Sequence, residues 1–332
     1  MKKILITGSE GFIGSHLVEL AVKREYEVVA LIQYNSFGNK GWLDQIDERN
    51  RAKINCVWGD LRDRGSLLSA MQGCDAVLNL AALIAIPYSY RAPESYVDTN
   101  ISGTLNILEA ARALRVKKIV QISTSEVYGT AQYVPIDEAH PLNAQSPYAA
   151  TKIASDQLAL SYFCSFDLPV AIARPFNTYG PRQSNRAVIP TMISQVTSGK
   201  DKIKLGSLSP TRDFSYVTDI ADGILAIMES PNSTGTVINL GSNFEISIKD
   251  VVNIISEVTG KTIVIEQEDE RIRPQKSEVE RLFANTSKAQ KLLGWNPKFS
   301  GKEGFMKGIE LTLQWFSNPA NLARYETFTY GI

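Results

Sequence analysis

The segment Gly8-Ser-Glu-Gly11-Phe-Ile-Gly14 constrains the fold more than any other stretch of the chain. It follows an apolar, β-branched run, Lys3–Thr7, and opens an amphipathic stretch, Gly11–Val22. Glycine at the turn lets the backbone reverse. Glycine at the helix start lets a pyrophosphate approach the N–H groups and the positive helix end, and the third glycine allows close helix–sheet packing. A lone glycine triplet is weak evidence, but between a strand and a helix it reads as a dinucleotide cradle built from Gly8, Gly11, Phe12, Ile13 and Gly14. The competing reading is a plain tight βα turn.

The same alternation continues. Strand candidates are Lys3–Thr7, Glu27–Gln33, Ile54–Gly59, Ala76–Leu80, Lys118–Ser123 and Val170–Arg174, with helical patterns at Gly11–Val22, Asn100–Ala113 and Pro147–Ser165. Strand–helix alternation with nearly all-apolar strands predicts βαβ units on a parallel sheet covered on both faces. After Arg174 the pattern loosens into Pro-, Gly-, Asn- and Ser-rich loops. Helices are expected there at Val188–Ser198, Val217–Glu229, Ile248–Thr259 and near Lys302–Phe316, with a strand at Thr236–Leu240. The expected fold class is α/β, a Rossmann-type doubly wound parallel sheet with a smaller mixed α/β substrate-binding lobe. Residues 1–175, with a returning segment at about 213–243, are expected to form the dinucleotide domain, and 176–212 with 244–332 the lobe. The tail after Phe316 reads as a surface extension.

Lysine plus arginine equals aspartate plus glutamate at 35 each, which gives no reason to expect nucleic acid or a membrane surface as partner. An anionic ligand then needs local arginines. Cys56, Cys74 and Cys164 lie far apart without a CxxC pair, which argues against a disulfide framework or a metal site and fits the cytoplasm. The first apolar run is too short for a signal peptide, and no run of about 18 apolar residues exists to span a bilayer.

The end of the second strand normally carries an acid for the adenosine ribose. Here it reads Gln33-Tyr34-Asn35-Ser36, with nothing to repel a 2′-phosphate. Asn35, Ser36 and Lys40 can donate to one, although no arginine clamps it, so NADP is expected over NAD. Asp60-Leu61, closing the third strand, is placed to meet the adenine or, alternatively, to cap a helix at Arg64–Met71.

Tyr148-Ala-Ala-Thr-Lys152 puts a phenol and an ammonium one helical turn apart on one face. A tyrosine is a poor base at its ordinary pKa of about 10, but a nearby ammonium and a cationic nicotinamide favour phenolate. Ser123-Thr124-Ser125-Glu126-Val127-Tyr128-Gly129 closes the fifth strand, where open α/β sheets hold their ligands. A β-to-loop edge also favours Ser and Thr. A glutamate there is harder to explain structurally, and it suits removal of a carbon-bound proton beside a newly formed ketone.

With these motifs in hand, the chain resembles the extended short-chain dehydrogenases, the nucleotide-sugar epimerase and dehydratase family. GSEGFIG, GDLRD, LNLAAL, Thr99-Asn100 with Gly103-Thr104, STSEVYG, SPYAATK, RPFNTYGPR, RDFSYV and RPQKSEV occur in that family's order. Two departures stand out: NLAA where many members have HxAA, and the missing acid after strand two. STSE followed by YxxxK, with RPxxSEV, is most similar to GDP-mannose 4,6-dehydratase; the dTDP-glucose enzymes carry Asp where this chain has Ser125. QYNSFGNKGWLD, ALIAIPYSY, SEVYGTAQYVPIDE and RPFNTYGPRQSNRAVIP look closer still to the 4,6-dehydratases of legionaminic-acid synthesis.

That resemblance implies a UDP- or GDP-linked N-acetylglucosamine as substrate and a tightly bound, recycled NAD(P). Tyr148 would act as base, with Lys152 on the cofactor ribose, Thr124 on the C4 oxygen and Glu126 at C5–H. Ser125 or Glu126 would protonate the leaving hydroxyl. Leu80, Ala81 and Ala82 would line the cofactor. Asn177 would sit near the glycosyl phosphate, Arg212 and Arg273 on the pyrophosphate and Glu278 on the nucleotide ribose. His16 is read as helix packing and His140 as loop surface, neither as a metal ligand. A homodimer through a four-helix bundle of the helices at Asn100–Ala113 and Pro147–Ser165 is also implied. UDP-glucuronate decarboxylases share STSEVYG and, with 4-epimerases, remain alternatives; so does a non-catalytic dinucleotide sensor, although such proteins tend to lose the Tyr–Lys pair.

Overall fold

The computed structural model describes residues 1–200 and 202–325. The six apolar runs become β1 (Lys3–Thr7), β2 (Glu27–Gln33), β3 (Ile54–Gly59), β4 (Ala76–Asn79), β5 (Lys118–Ile122) and β6 (Val170–Pro175). They are followed by β7 (Asn177–Tyr179), β8 (Lys202–Leu205), β9 (Thr211–Tyr216), β10 (Val237–Leu240), β11 (Glu245–Ser247), β12 (Val264–Gln267) and β13 (Arg281–Leu282). Helices of eight residues or more are α1 (Phe12–Lys23), α2 (Arg64–Met71), α3 (Gly103–Ala113), α4 (Pro147–Phe166), α5 (Val188–Thr197), α6 (Val217–Glu229), α7 (Ile248–Thr259) and α8 (Gly301–Phe316).

Seven strands form one sheet in the order β10-β6-β5-β4-β1-β2-β3, with every neighbouring pair parallel. The order reverses between β1 and β4, so their carboxyl ends open the crevice where a ligand of such a sheet sits. Both faces are covered, which is why the strands carry no polar alternation. Leu17 and Val18 of α1 pack one face together with Ile220, Ile224 and Met228 of α6. Leu67 of α2, Ile107 and Leu108 of α3 and Ala159 of α4 pack the other.

The second lobe is built around β9, which pairs antiparallel with β11 and parallel with β7 and β13. Ile193 of α5, Ile255 of α7 and Ile309 of α8 cover it. The expected division at residue 213 falls inside β9. Asp213 ties this strand to the loop after β10 and to the segment after β13. Its carboxylate accepts from Ser242 N and Oγ (both 2.7 Å), Asn243 N (3.1 Å) and Ala284 N (3.3 Å). The chain returns to the main sheet through α6 and β10.

The described tail is mostly exposed, as expected of a surface extension, but it is tied down at Tyr325. Asn318 caps a short helix, Pro319–Leu322, through Ala320 N (3.0 Å). Tyr325 is buried against Phe316 and stacks on Trp42, with ring centroids 4.9 and 5.9 Å away. Residues 326–332 lie outside the described residues.

His16 joins α1 to the loop after β7, with Nε2 3.0 Å from the carbonyl oxygen of Pro181. Burial, reinforced by the Arg182 charge, pushes its pKa down from 6.5 to about 4. The native state therefore holds the ring neutral while the unfolded chain protonates it. This contribution is fully present above pH 6.5 and is lost as pH falls towards 4, by at most about 3 kcal/mol. Urea titrations should show stability falling across that window, and His16→Gln should flatten the slope. An unchanged slope would refute the assignment.

Candidate active site

The β1–α1 loop is shaped for close backbone approach. Gly8 has φ +64°, and a Cβ there would lie 3.0 Å from Ala81 N and Cα. A Cβ on Gly14 would lie 2.0 Å from the Gly8 carbonyl oxygen, so only glycine lets the helix meet its own loop. Gly11 caps α1 without a side chain, and the first turn, which holds Phe12, Ile13 and Gly14, contains no acid. The helix end thus presents free N–H groups to an anion, and the donor set fits a dinucleotide pyrophosphate.

Across the switch point, Leu80, Ala81 and Ala82 follow β4. Thr7 Oγ1 donates to Asn79 Oδ1 (2.7 Å) and accepts from Ala81 N (3.0 Å), while Asn79 Nδ2 donates to Gln121 Oε1 (2.8 Å). A buried polar chain therefore ties the carboxyl ends of β1, β4 and β5. Asn79, at the motif's usual histidine position, is one of its links.

On the adenosine side the structure sets the following contacts. Asn35 spends its amide within the loop, donating to Asn39 O (2.8 Å) and accepting from Asn39 N (3.0 Å), while Ser36 is exposed. Asp60 does not cap α2. It holds Arg62, at 2.6 Å, and Asp63 caps instead through Gly65 N (2.9 Å), being one residue from the helix start. Leu61 is a core residue pressed under Gly103, where a Cβ would approach it to 2.8 Å. Sequence reasoning also passed over Glu10. Its Oε1 accepts from Gln33 N at the end of β2 (2.9 Å), and burial raises its pKa. The available signal was an acid inside the glycine loop.

The Tyr–Lys pair is set by the start of α4. Ser146 caps the helix through Ala149 N (3.1 Å), and Pro147 occupies the first turn, where its missing N–H costs nothing. Tyr148 then falls in the first turn and Lys152 one turn later, both buried. The Thr124 side chain lies beside the Tyr148 hydroxyl, and the Tyr148 ring meets the edge of Tyr96, with centroids 6.3 Å apart. Lys152 Nζ donates to the Ile122 carbonyl (2.6 Å), so the ammonium is anchored to the end of β5. Burial raises the Tyr148 pKa and lowers that of Lys152 to about 8.

The turn after β5 carries the acid. Thr124 Oγ1 accepts from Glu126 N (3.2 Å), and the turn Ser125–Tyr128 ends at Gly129, φ +63°, where a Cβ would lie 2.4 Å from Asn143 O. Ser125 and Glu126 are both buried at 2% and 8% exposure, so the glutamate is not a surface charge. His140, expected on the surface, is buried behind this turn. Its Nε2 accepts from Gln132 N (2.9 Å), its Nδ1 meets Pro141 O (2.9 Å), and the rings of Tyr128 and Tyr133 cover it.

The lobe brings three of the four expected substrate residues together. Arg212 donates to Glu278 Oε1 (3.2 Å) and to Thr211 O (2.9 Å), and Arg273 Nη1 lies 3.8 Å from the same carboxylate oxygen. The Arg273 Nη1 and Asn177 Oδ1 atoms are buried without hydrogen-bond partners. Asn177 stands on β7 opposite Phe214 of β9. Burial disfavours the Arg212 cation, and the charges of Glu126 and Glu278 partly offset this. Among the described residues, no group of three or more His, Cys, Asp or Glu side chains is arranged to hold a metal, and no helix is long and apolar enough to cross a membrane.

Fold and site define an extended short-chain dehydrogenase. More narrowly, the chain matches the GDP-mannose 4,6 dehydratase family model over residues 5–307 and belongs to that family, whose relatives are NAD-dependent nucleotide-sugar dehydratases, epimerases and decarboxylases. It is 30% identical to human dTDP-D-glucose 4,6-dehydratase over 97% of this chain and 93% of that one. It is 31% identical to the UDP-N-acetyl-alpha-D-glucosaminuronate decarboxylase of Bacillus cytotoxicus over 96% and 99%. The crystal structure of DesIV, the dTDP-glucose 4,6-dehydratase of Streptomyces venezuelae with NAD and TYD bound, superposes with a TM-score of 0.86 at 28% identity, covering 98% and 99%.

Tyr148→Phe should cut turnover by about a hundredfold or more, because it removes the acid–base group. Dinucleotide affinity should stay within about twofold, since the pyrophosphate cradle lies elsewhere. Near-normal turnover would remove Tyr148 from the chemistry.

Proposed function

We propose that the protein is a nucleotide-sugar 4,6-dehydratase that converts a UDP- or GDP-linked N-acetylglucosamine to its 4-keto-6-deoxy form. The observation that carries this is Glu126, a buried carboxyl on the same turn as Thr124 and beside Tyr148. Oxidation and re-reduction at C4 alone, as in a 4-epimerase, need no such acid. Water loss across C5–C6 does. The sugar assignment, of the legionaminic-acid type, rests on the segments around Gln33, Ala82, Ser125 and Arg182 described above.

A bound nicotinamide dinucleotide supplies the acceptor and later the donor of the hydride. Tyr148 takes the proton of the 4-hydroxyl as the C4 hydride leaves. Thr124 holds the C4 oxygen, and Lys152 holds the ribose of the cofactor. The ketone acidifies C5–H, and Glu126 removes that proton. The 6-hydroxyl would depart as water, with Glu126 or Ser125 delivering its proton; hydride would return to C6 from the bound dinucleotide, and an exchangeable proton would restore C5–H. Arg212 and Arg273 take the pyrophosphate, Asn177 the glycosyl phosphate and Glu278 the nucleotide ribose. Both guanidiniums are forked donors suited to phosphate oxygens.

Glu126→Gln retains size but cannot accept the C5 proton. With a UDP- or GDP-linked N-acetylglucosamine it should still reduce the cofactor, yet lose dehydration by about a hundredfold or more. A 4-keto, still 6-hydroxylated sugar should accumulate, and solvent deuterium should enter C5 with the wild type only. Dehydration at the wild-type rate would clear Glu126. Carbon dioxide release from UDP-glucuronate, or C4 inversion without water loss, would replace the dehydratase reading with one of its alternatives.

The dimer proposal rests on the outer faces of α3 and α4. Leu105 of α3 and Phe166 of α4 are 39% and 48% exposed, and Val97, in the turn that leads into α3, is 44% exposed. Two helices from each subunit would bury them as a four-helix bundle. Leu105→Glu should shift the molecular mass by light scattering from dimer to monomer; a wild-type monomer would end that proposal. The unpaired cysteines fit a reducing cytoplasm.

A further inference from the structure

In a Rossmann sheet the adenosine ribose lies against the carboxyl end of β2, where an acid ordinarily takes its hydroxyls. Here β2 ends on Gln33, and the loop beyond offers no carboxylate to that position. A carboxylate reaches it from the neighbouring loop instead. Glu10 Oε1 accepts from the backbone N–H of Gln33 at 2.9 Å, which fixes the side chain across the end of β2. Its other oxygen, Oε2, is buried and has no hydrogen-bond partner.

The surroundings hold this side chain in place. Trp42 N donates to Glu10 O (3.0 Å), so the segment after β2 folds back over the glycine loop. Gly41 has φ +58°, and a Cβ there would lie 2.9 Å from the Glu10 Cβ, so the approach is as close as glycine permits. The rings of Trp315 and Tyr325, with centroids 5.6 and 5.9 Å from that of Trp42, brace the fold-back from the lobe. Asn35 and Asn39 lock the loop through their own amides, Asn39 Oδ1 accepting from Gly41 N (2.6 Å).

A buried carboxylate oxygen with no donor is costly and requires an explanation. A ribose hydroxyl supplies the missing donor. A 2′-phosphate supplies none when ionised, and brings like charge against a side chain already short of solvent. We propose that Glu10 takes over the role of the absent acid at the end of β2, accepts the adenosine 2′-hydroxyl, and makes the protein select NAD over NADP. This reverses the preference expected from the strand end alone, and it rests on the dinucleotide reading of the glycine loop.

The test is binding, measured by calorimetry with NAD+ and NADP+ on wild-type protein stripped of cofactor, and by identifying the dinucleotide retained on purification. The wild type should retain NAD and bind NAD+ at least about a hundredfold tighter than NADP+. Glu10→Gln keeps an acceptor for Gln33 N but loses the charge, and should shrink that ratio by about tenfold or more, chiefly by tighter NADP+ binding. Glu10→Asp keeps the charge and should keep the preference. A wild type that prefers NADP+ or does not discriminate overturns the proposal without any variant. A ratio unchanged in Glu10→Gln, with both affinities weakened equally, reduces Glu10 to a loop brace and overturns it too. Failure to bind either dinucleotide would instead bring down the dinucleotide site itself.

Discussion

The buried pair of Asp156 and Arg174 is the contact on which the rest of the active site depends. Asp156 Oδ2 accepts from Arg174 Nε and Nη2 at 3.1 and 2.9 Å and from Ser123 Oγ at 2.7 Å. The two charged side chains are 0% and 3% exposed. Arg174 Nη1 also donates to the Tyr128 hydroxyl (3.0 Å), which donates to Asn239 Oδ1 (2.7 Å). One network thus joins α4, the ends of β5 and β6, strand β10 and the turn that carries Glu126. Asp156 lies one helical turn beyond Lys152. The pair therefore fixes how α4 is rotated about its axis, and with it where Tyr148 and Lys152 point. Aliphatic packing tolerates a small rotation, whereas a multiply hydrogen-bonded charge does not. Loss of either partner would leave an unpaired buried charge, at a cost of about 3–5 kcal/mol.

Around this anchor the two lobes divide the work. The parallel sheet supplies a helix end and a row of small residues, a surface suited to a long dianionic ligand. The lobe supplies charge. The whole chain is neutral, yet the lobe gathers Arg212 and Arg273 around Glu278.

Much of the sheet was legible because its strands are short apolar runs bounded by polar turns, and some helix ends carry a local capping signal. Ser146-Pro147 announces the start of α4, and Gly129 closes the turn after β5. The tyrosine–lysine spacing follows from helix period alone. The misread positions share a different property. Asp63 rather than Asp60 caps α2, which only the helix start decides. His140 reads as a loop residue until Tyr128 and Tyr133 are folded over it. Within the tail, Tyr325 reads as surface until it meets Trp42, far away in sequence.

Local pattern along the chain was enough to specify a parallel α/β sheet, a glycine-lined helix end at its switch point, and a Tyr–Lys pair beside a glutamate. These follow from hydrophobic period, capping and turn chemistry, all of which act between residues a few positions apart. Tertiary structure alone decided which charges are buried and what they face. The end of β2 carries no acid, yet a carboxylate sits there, because Glu10 crosses from the preceding loop to the N–H of Gln33. Arg212 and Arg273 become one cluster only when β9 and the segment before β13 are laid side by side. Desolvation depends on the whole packed environment, so no local stretch of sequence encodes it.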